Sequence, residues 1–233
     1  FLATKVGWDK GSHAFWYEPE HMINNMERSL RNLKTDYVDV MYLHHCNFGN
    51  NDENFEGALE AIKRFQEQGK TRFIGLSDWS CQKIVRYIDK CDPDIVQTYR
   101  NIMDDNYTSS GLKKHIDKNN IGICFFSPIK HGLLTGKYDS PQTFELGDHR
   151  SKIKQFVDKT VISKMKLNKE ILEKKYSRKE NPVMHGIVNA LFYDAPTGCV
   201  ILGQRNKAQV DIASLLGEVL PEEDSEWIKS LYS

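Results

Sequence analysis

The sequence has no apolar stretch approaching the roughly 18 residues that a membrane helix needs, and no charged-then-apolar leader. A helical membrane protein is thereby excluded, and a soluble chain is expected. Charge of one sign is also missing. The 32 Lys and Arg residues are balanced by 32 Asp and Glu, so no basic field exists to recruit nucleic acid or an anionic membrane. Cysteine is sparse: Cys46, Cys81, Cys91, Cys124 and Cys199 are odd in number and lack any C-x-x-C spacing. That pattern argues against a disulfide framework and against a zinc or iron–sulfur site, and predicts a reducing, cytoplasmic setting. His115, His131, His149 and His185 are too scattered for metal-ligand spacing, so no metal is expected. Internal repeats, low-complexity tracts and linkers are absent as well. A length of 233 residues suits one α/β domain over 1–233.

What is present is an alternation of short apolar runs with longer segments of helical period, the pattern of successive β/α units around a parallel sheet. Strands are predicted at Phe1–Val6, Val38–His44, Arg72–Ser77, Ile95–Thr98, Ile121–Phe126 and Cys199–Leu202. Helices are predicted at Glu18–Leu33, Glu53–Gln68, Ser80–Asp89, Ser109–Asp117, Phe156–Tyr176, Val183–Tyr193, Asn206–Leu216 and Glu222–Leu231. Ser127–Ser151, rich in Gly, Pro and polar residues, is too long for an ordinary connection and reads as a functional loop.

Side chains alternate along a strand, and in a β/α barrel reactive groups sit at the C-terminal strand ends. Counting by twos groups Ala3 with Lys5, then Val40, Tyr42 and His44, then Phe73, Gly75 and Ser77. It also groups Ile95 with Gln97, Gly122 with Cys124 and Phe126, and Cys199 with Ile201 and Gly203. Lys5, His44, Ser77, Gln97 and Phe126 can then converge on one rim, a plausible set for a planar, amide-bearing ligand. By the same count His45 turns away from His44 and is structural, while Cys124 and Cys199 fill the lumen. Such a rim could equally serve a hydrolase, an aldolase or an isomerase.

The local motifs choose among these. A-T-K-V-G at Ala3–Gly7, T-D-Y-V-D-V-M-Y-L-H-H at Thr35–His45, Q-G-K-T-R-F-I-G-L-S-D-W-S at Gln68–Ser80, S-P-I-K-H-G-L-L-T-G-K-Y at Ser127–Tyr138 and I-L-G-Q-R-N at Ile201–Asn206 run in one order along the chain. Together they resemble the aldo-keto reductase family, a (β/α)8 TIM barrel. G-D-H-R-S at Gly147–Ser151, with H-H-C-N-F-G, resembles a bacterial subgroup of predicted oxidoreductases.

The resemblance implies NADP(H)-dependent reduction of small aldehydes or ketones to alcohols. It implies that Lys5 lowers the pKa of a proton-donating tyrosine and that His44 orients the carbonyl. Ser77, Asp78 and Gln97 fall where the nicotinamide carboxamide is held, and Phe126 where a ring stacks on the nicotinamide. Ser127, Ile129, Leu133 and Lys137 fall in the pyrophosphate loop, and Gly203, Arg205 and Gln209 around the adenosine phosphate.

The chain departs from the family pattern at three places. Asp78 replaces an asparagine and cannot donate, Phe126 has no hydroxyl, and Ala213 lacks an amide that often meets adenine.

Six strands are two short of a closed barrel, whose strand number, tilt and shear are linked. The chain opens on Phe1 inside a strand, and none of its ten tyrosines stands in the family's catalytic motif. The first two β/α units are therefore expected to be missing. A nucleotide-binding, redox-sensing subunit and an inactive fragment are the alternative readings. The sequence leaves open which carbonyl is the substrate and what the oligomeric state is.

Overall fold

The computed structural model describes residues 1–233. Six strands form one sheet whose hydrogen-bonded order follows the chain: β1 (Ala3–Val6), β2 (Val38–Leu43), β3 (Thr71–Asp78), β4 (Ile95–Tyr99), β5 (Gly122–Phe126) and β6 (Cys199–Ile201). The helices are α1 (Pro19–Leu33), α2 (Phe55–Glu67), α3 (Cys81–Cys91), α4 (Leu112–Asn119), α5 (Lys159–Lys175), α6 (Pro182–Asn189), α7 (Lys207–Ser214) and α8 (Glu222–Tyr232). No helix is long and apolar enough to cross a membrane.

The chain divides into two compact units. The first comprises 1–99 and 106–124, the second 100–105 and 125–233. In the first, β1 to β4 are parallel and each helix covers the sheet with an apolar stripe. In α1 the stripe is Met22, Met26 and Leu30, at i, i+4 and i+8. Pro19 opens that helix, and Lys34 ends it in the left-handed region, its N–H returning to Leu30 O and Arg31 O. The core of the second unit is built by α5, α6 and α8, with Leu133, Leu134, Ile162, Leu172, Ile187 and Ile228 all essentially inaccessible.

The register agrees with the alternation read from the sequence. Ala3 pairs with Val40, Lys5 with Tyr42, Val40 with Phe73, Tyr42 with Gly75, Gly75 with Ile95 and Ser77 with Gln97. Partners in a parallel ladder face the same way, so these residues share one face.

Where the elements differ from expectation, the local chemistry gives the reason. Ser127–Ser151 is not irregular throughout, since 3-10 turns lie within Lys130–Thr135, interrupted at His131 and Gly132, and at His149–Lys152. The helix expected from Phe156 begins at Lys159, because the Asp158 side chain accepts from the Thr160 and Val161 N–H groups and fixes the N-terminus there. β2 stops at Leu43, one residue before His44. Cys124 is buried as expected, whereas Cys199 at the head of β6 is exposed.

Gly75 is fixed by a neighbour. A Cβ there would lie 2.2 Å from Cδ1 of Tyr42, whose buried ring occupies that space. Gly75→Ala is therefore expected to lower the free energy of unfolding by about 1–3 kcal/mol, the usual cost of overpacking. Urea midpoints read this directly. Gly203→Ala, which meets nothing within 4 Å, serves as the control, and equal midpoints for the two variants would count against the close fit.

Candidate active site

In the first unit, the shared strand face carries Lys5, Tyr42, Ser77 and Gln97. Lys5 Nζ lies over the Tyr42 ring, 5.4 Å from its centroid. Burial lowers the pKa of Lys5, opposed only by Cys124. Ser77 and Gln97 stand side by side in register and are both buried. They present a hydroxyl and a carboxamide to the same space, groups that suit a planar amide ligand.

His44 follows β2 directly, and its N–H donates to Val6 O at 2.8 Å, tying it to the end of β1. Burial, then the neighbouring His45 and Lys5, push its imidazole down to about 4. His44 is thus a neutral ring at physiological pH, able to donate from one nitrogen and accept at the other.

His45 departs from the alternation argument. Its ring does not turn away but stacks on His44, with centroids 4.5 Å apart and planes at 11°. Alternation fails because the strand has already ended and a tyrosine grips the next peptide. The Tyr17 hydroxyl donates to His45 O at 2.7 Å and accepts from His45 N–H at 3.0 Å. Gly7 makes room for this. Its φ is +97°, and a Cβ would lie 2.3 Å from the Tyr17 ring. The glycine of A-T-K-V-G therefore admits the ring that sets the histidine turn.

Trp8, 68% exposed, covers both imidazoles, 5.6 Å from His44 and 4.8 Å from His45. Neither Tyr17 nor Trp8 was singled out from the sequence. Trp8 stands directly after the A-T-K-V-G motif, and that adjacency was the available signal.

Asp78 lies on the opposite face of β3 from Ser77. Its two oxygens accept from the N–H groups of Cys46 at 2.9 Å and Ser80 at 2.8 Å, and His45 Nδ1 is 3.9 Å away. The carboxylate thus braces the loop after β2 and the start of α3.

In the second unit, β5 ends at Phe126 and the chain enters a turn of unusual backbone. Ser127, Lys130 and His131 have φ of 58°, 46° and 55°, and Gly132 has 90°. Each non-glycine residue held there costs on the order of 1–3 kcal/mol. Leu133 is fully buried in the core and Ile129 packs against it, so these two side chains anchor the turn. An anion could take only backbone from them. Lys137 is exposed, with its ammonium 5.0 Å from the Tyr138 ring centroid.

Gly203 has open space around it, and Arg205 is exposed. Asn206 and Gln209 both cap the start of α7. Gln209 Oε1 accepts from Arg205 N–H at 2.6 Å, and Asn206 Oδ1 accepts from Gln209 N–H at 3.0 Å. The Gln209 side chain is thus engaged in holding the helix end. The sequence-predicted residues therefore fall into two groups: Lys5, His44, Ser77, Asp78 and Gln97 in the first unit, and Phe126 through Gln209 in the second.

The His44 shift has a testable sign. The folded ring takes up its proton near pH 4, against 6.5 for the ordinary ring. Between those values the unfolded state binds more protons, so the stability owed to neutral His44 is complete above 6.5 and is lost as pH falls toward 4. Imidazole resonances of His44 are expected to titrate with a midpoint near 4, and His44→Gln should flatten the acid-side fall in Tm. A midpoint near 6.5 would mean that the ring is solvated as in a peptide.

The comparisons with known proteins agree with the motifs. The model of the aldo/keto reductase family matches residues 1–233. An aldo-keto reductase of Schizosaccharomyces pombe, named as NADP(+)-dependent, is 32% identical over 173 residues, covering 72% of this chain and 50% of that protein. L-galactose dehydrogenase of Arabidopsis thaliana is 28% identical over 137 residues, covering 58% of this chain and 42% of that protein. The chain thus spans about half the length of these curated relatives. A solved glycerol dehydrogenase of Gluconobacter oxydans superposes with a TM-score of 0.79 at 21% identity, covering 98% of this chain and 71% of that one. With the family model matched from end to end, the chain belongs to the aldo/keto reductase family.

Proposed function

We propose that this chain carries nucleotide- and carbonyl-binding machinery of an NADP(H)-dependent oxidoreductase that reduces aldehydes or ketones to alcohols. The observation that carries this reading is the shared strand face, where Lys5, Ser77 and Gln97 stand in register and neutral His44 follows Tyr42. A cation, a neutral imidazole and two amide-matching groups suit a carbonyl beside a nicotinamide.

When bound, the reduced nicotinamide supplies the hydride for the carbonyl carbon. Ser77 and Gln97 would hold its carboxamide, and the Phe126 ring offers an apolar face. Ser127, Ile129, Leu133 and Lys137 would hold the pyrophosphate, the core-packed Ile129 and Leu133 through their backbone. Gly203 and Arg205 would take the adenosine end, with Gln209 supporting it through its cap. Asp78 keeps the frame in shape, since its oxygens already accept two backbone N–H groups.

His44 donates a ring N–H to the carbonyl oxygen and fixes its direction. Lys5 puts positive charge on the same face and favours negative charge growing on that oxygen. The exposed Arg205 guanidinium suits a 2′-phosphate and supports NADP(H) over NAD(H).

Two measurements test this reading. Arg205→Ala is expected to weaken NADPH binding by about 1–3 kcal/mol, the scale of a charge-assisted hydrogen bond, while NADH binding holds. Equal losses in a tryptophan-fluorescence titration would remove Arg205 from that role. In the protein that contains this chain, His44→Ala is expected to lower kcat for an aromatic aldehyde by roughly 10²-fold or more. Undiminished turnover would overturn the assignment of His44. Nucleotide binding without any aldehyde reduction by the unmodified protein would favour a redox-sensing subunit instead.

A further inference from the structure

Lysine inside a phosphate-binding loop is ordinarily read as a phosphate contact. Lys130 occupies such a place but points elsewhere. Its side chain is only 7% exposed, and Nζ donates to Asp104 Oδ2 at 2.7 Å. Met103 Sδ lies 3.5 Å from the same ammonium.

Asp104 is itself held. Asn101, fully buried, accepts the N–H groups of Met103 and Asp104 on its Oδ1 at 3.0 and 2.9 Å, and its own N–H donates to Asp104 O at 3.2 Å. The anchor is therefore a closed turn following β4, and Lys130 reaches it from the middle of the left-handed turn. Two short bonds complete that turn, Lys130 N–H to Ser127 O at 3.0 Å and Gly132 N–H to Ile129 O at 2.9 Å.

We propose that Lys130 is a positioning residue. Its inward ion pair with Asp104 holds the Ser127–Gly132 turn in the left-handed form that receives the nucleotide pyrophosphate, and its ammonium does not touch the phosphates. The proposal rests on the nucleotide reading given above. A charge pair whose ammonium end is buried and whose carboxylate is held by a closed turn resists breaking, so the strained backbone at Ser127, Lys130 and His131 stays populated without ligand.

Lys130→Met and Asp104→Asn separate a strut from a phosphate contact. For a strut, each substitution raises the Kd of NADPH at least about tenfold, on the scale of a charged hydrogen bond. The factor is the same for NADH, because both nucleotides share the pyrophosphate. The double variant is then no worse than the poorer single variant, and Lys130→Arg recovers most of the affinity. At saturating nucleotide, kcat for aldehyde reduction is unchanged. For a phosphate contact, Asp104→Asn would leave binding intact or tighten it, because it frees the ammonium, and that result overturns the proposal.

Amide hydrogen exchange of the ligand-free protein gives a second reading that needs no nucleotide. Lys130→Met is expected to raise exchange across residues 130–136 by at least about tenfold while α5 and α8 stay protected. Unchanged exchange there overturns the strut even if NADPH binds. Loss of protection with no nucleotide binding in the unmodified protein would instead overturn the nucleotide reading and leave the strut standing as a structural device.

Discussion

A guanidinium with no exposed surface governs the second unit. Arg100, directly after β4, has its side chain 0% exposed and is bound on every side. Nε and Nη2 donate to the two oxygens of Asp105 at 2.9 and 2.7 Å, Nη2 also to Asp194 at 2.8 Å, and Nη1 to Leu191 O at 3.2 Å. The Phe125 ring lies 4.7 Å from the guanidinium carbon. Burial alone would lower the Arg100 pKa, but the two carboxylates more than offset it, so the net shift is upward. Lys229 of α8, hydrogen-bonded to Glu226 at 3.0 Å, also lies 3.8 Å from Asp105. Within the second unit, one cation thus joins the 100–105 segment, Phe125 and the segment after α6. Removing one member of such a buried set costs about 3–5 kcal/mol, because the partners are left charged and dry. The turn that presents Asp104 adjoins this knot, so Lys130 ties the Ser127–Gly132 turn to the segment that Arg100 holds.

The first unit achieves order by other means. The strand face that carries Lys5, Ser77 and Gln97 is set by ladder register. Lys5, Tyr42 and Gly75 fit as one layer because the tyrosine ring fills the volume where Gly75 lacks a side chain. Beyond the ladder, Tyr17 and Asp78 capture the N–H groups of His45 and Cys46 in turn. Two consecutive backbone groups after β2 are therefore committed, and the histidine ring before them is held in position. A neutral imidazole near an ammonium is the electrostatic consequence of that crowding.

The sequence made the strand faces legible, since alternation is a two-residue property and the residues paired across β1 to β4 share the expected side. It made the family legible through five motifs in order. It did not reveal that His45 stacks on His44, because alternation ends with the strand and the next peptide is set by Tyr17, 28 residues away. Nor did it reveal Arg100, whose partner Asp194 is 94 residues distant, since a charged residue after a strand ordinarily reads as solvated. Ser127–Ser151 read as a loop because nothing in a local window signals left-handed residues at Lys130 and His131. Their support comes from Asp104, outside any window centred on them. Nor did it reveal that the Leu133 side chain lies in the core or that Gln209 helps cap α7.

Helix α7 carries a consequence of its own. It has eight residues and none of them is buried. Isolated helices below about 12–15 residues are marginal in water, so α7 depends on local bonds, the Asn206–Gln209 cap and the Lys207–Asp211 ion pair. The cap fixes the N-terminal turn, where Arg205 stands one residue before the cap residue. An anion bound there would meet an element close to its own coil limit. Part of the binding free energy would then go into ordering α7, and measured affinity at this end would track helix propensity at residues 207–214 as well as charge.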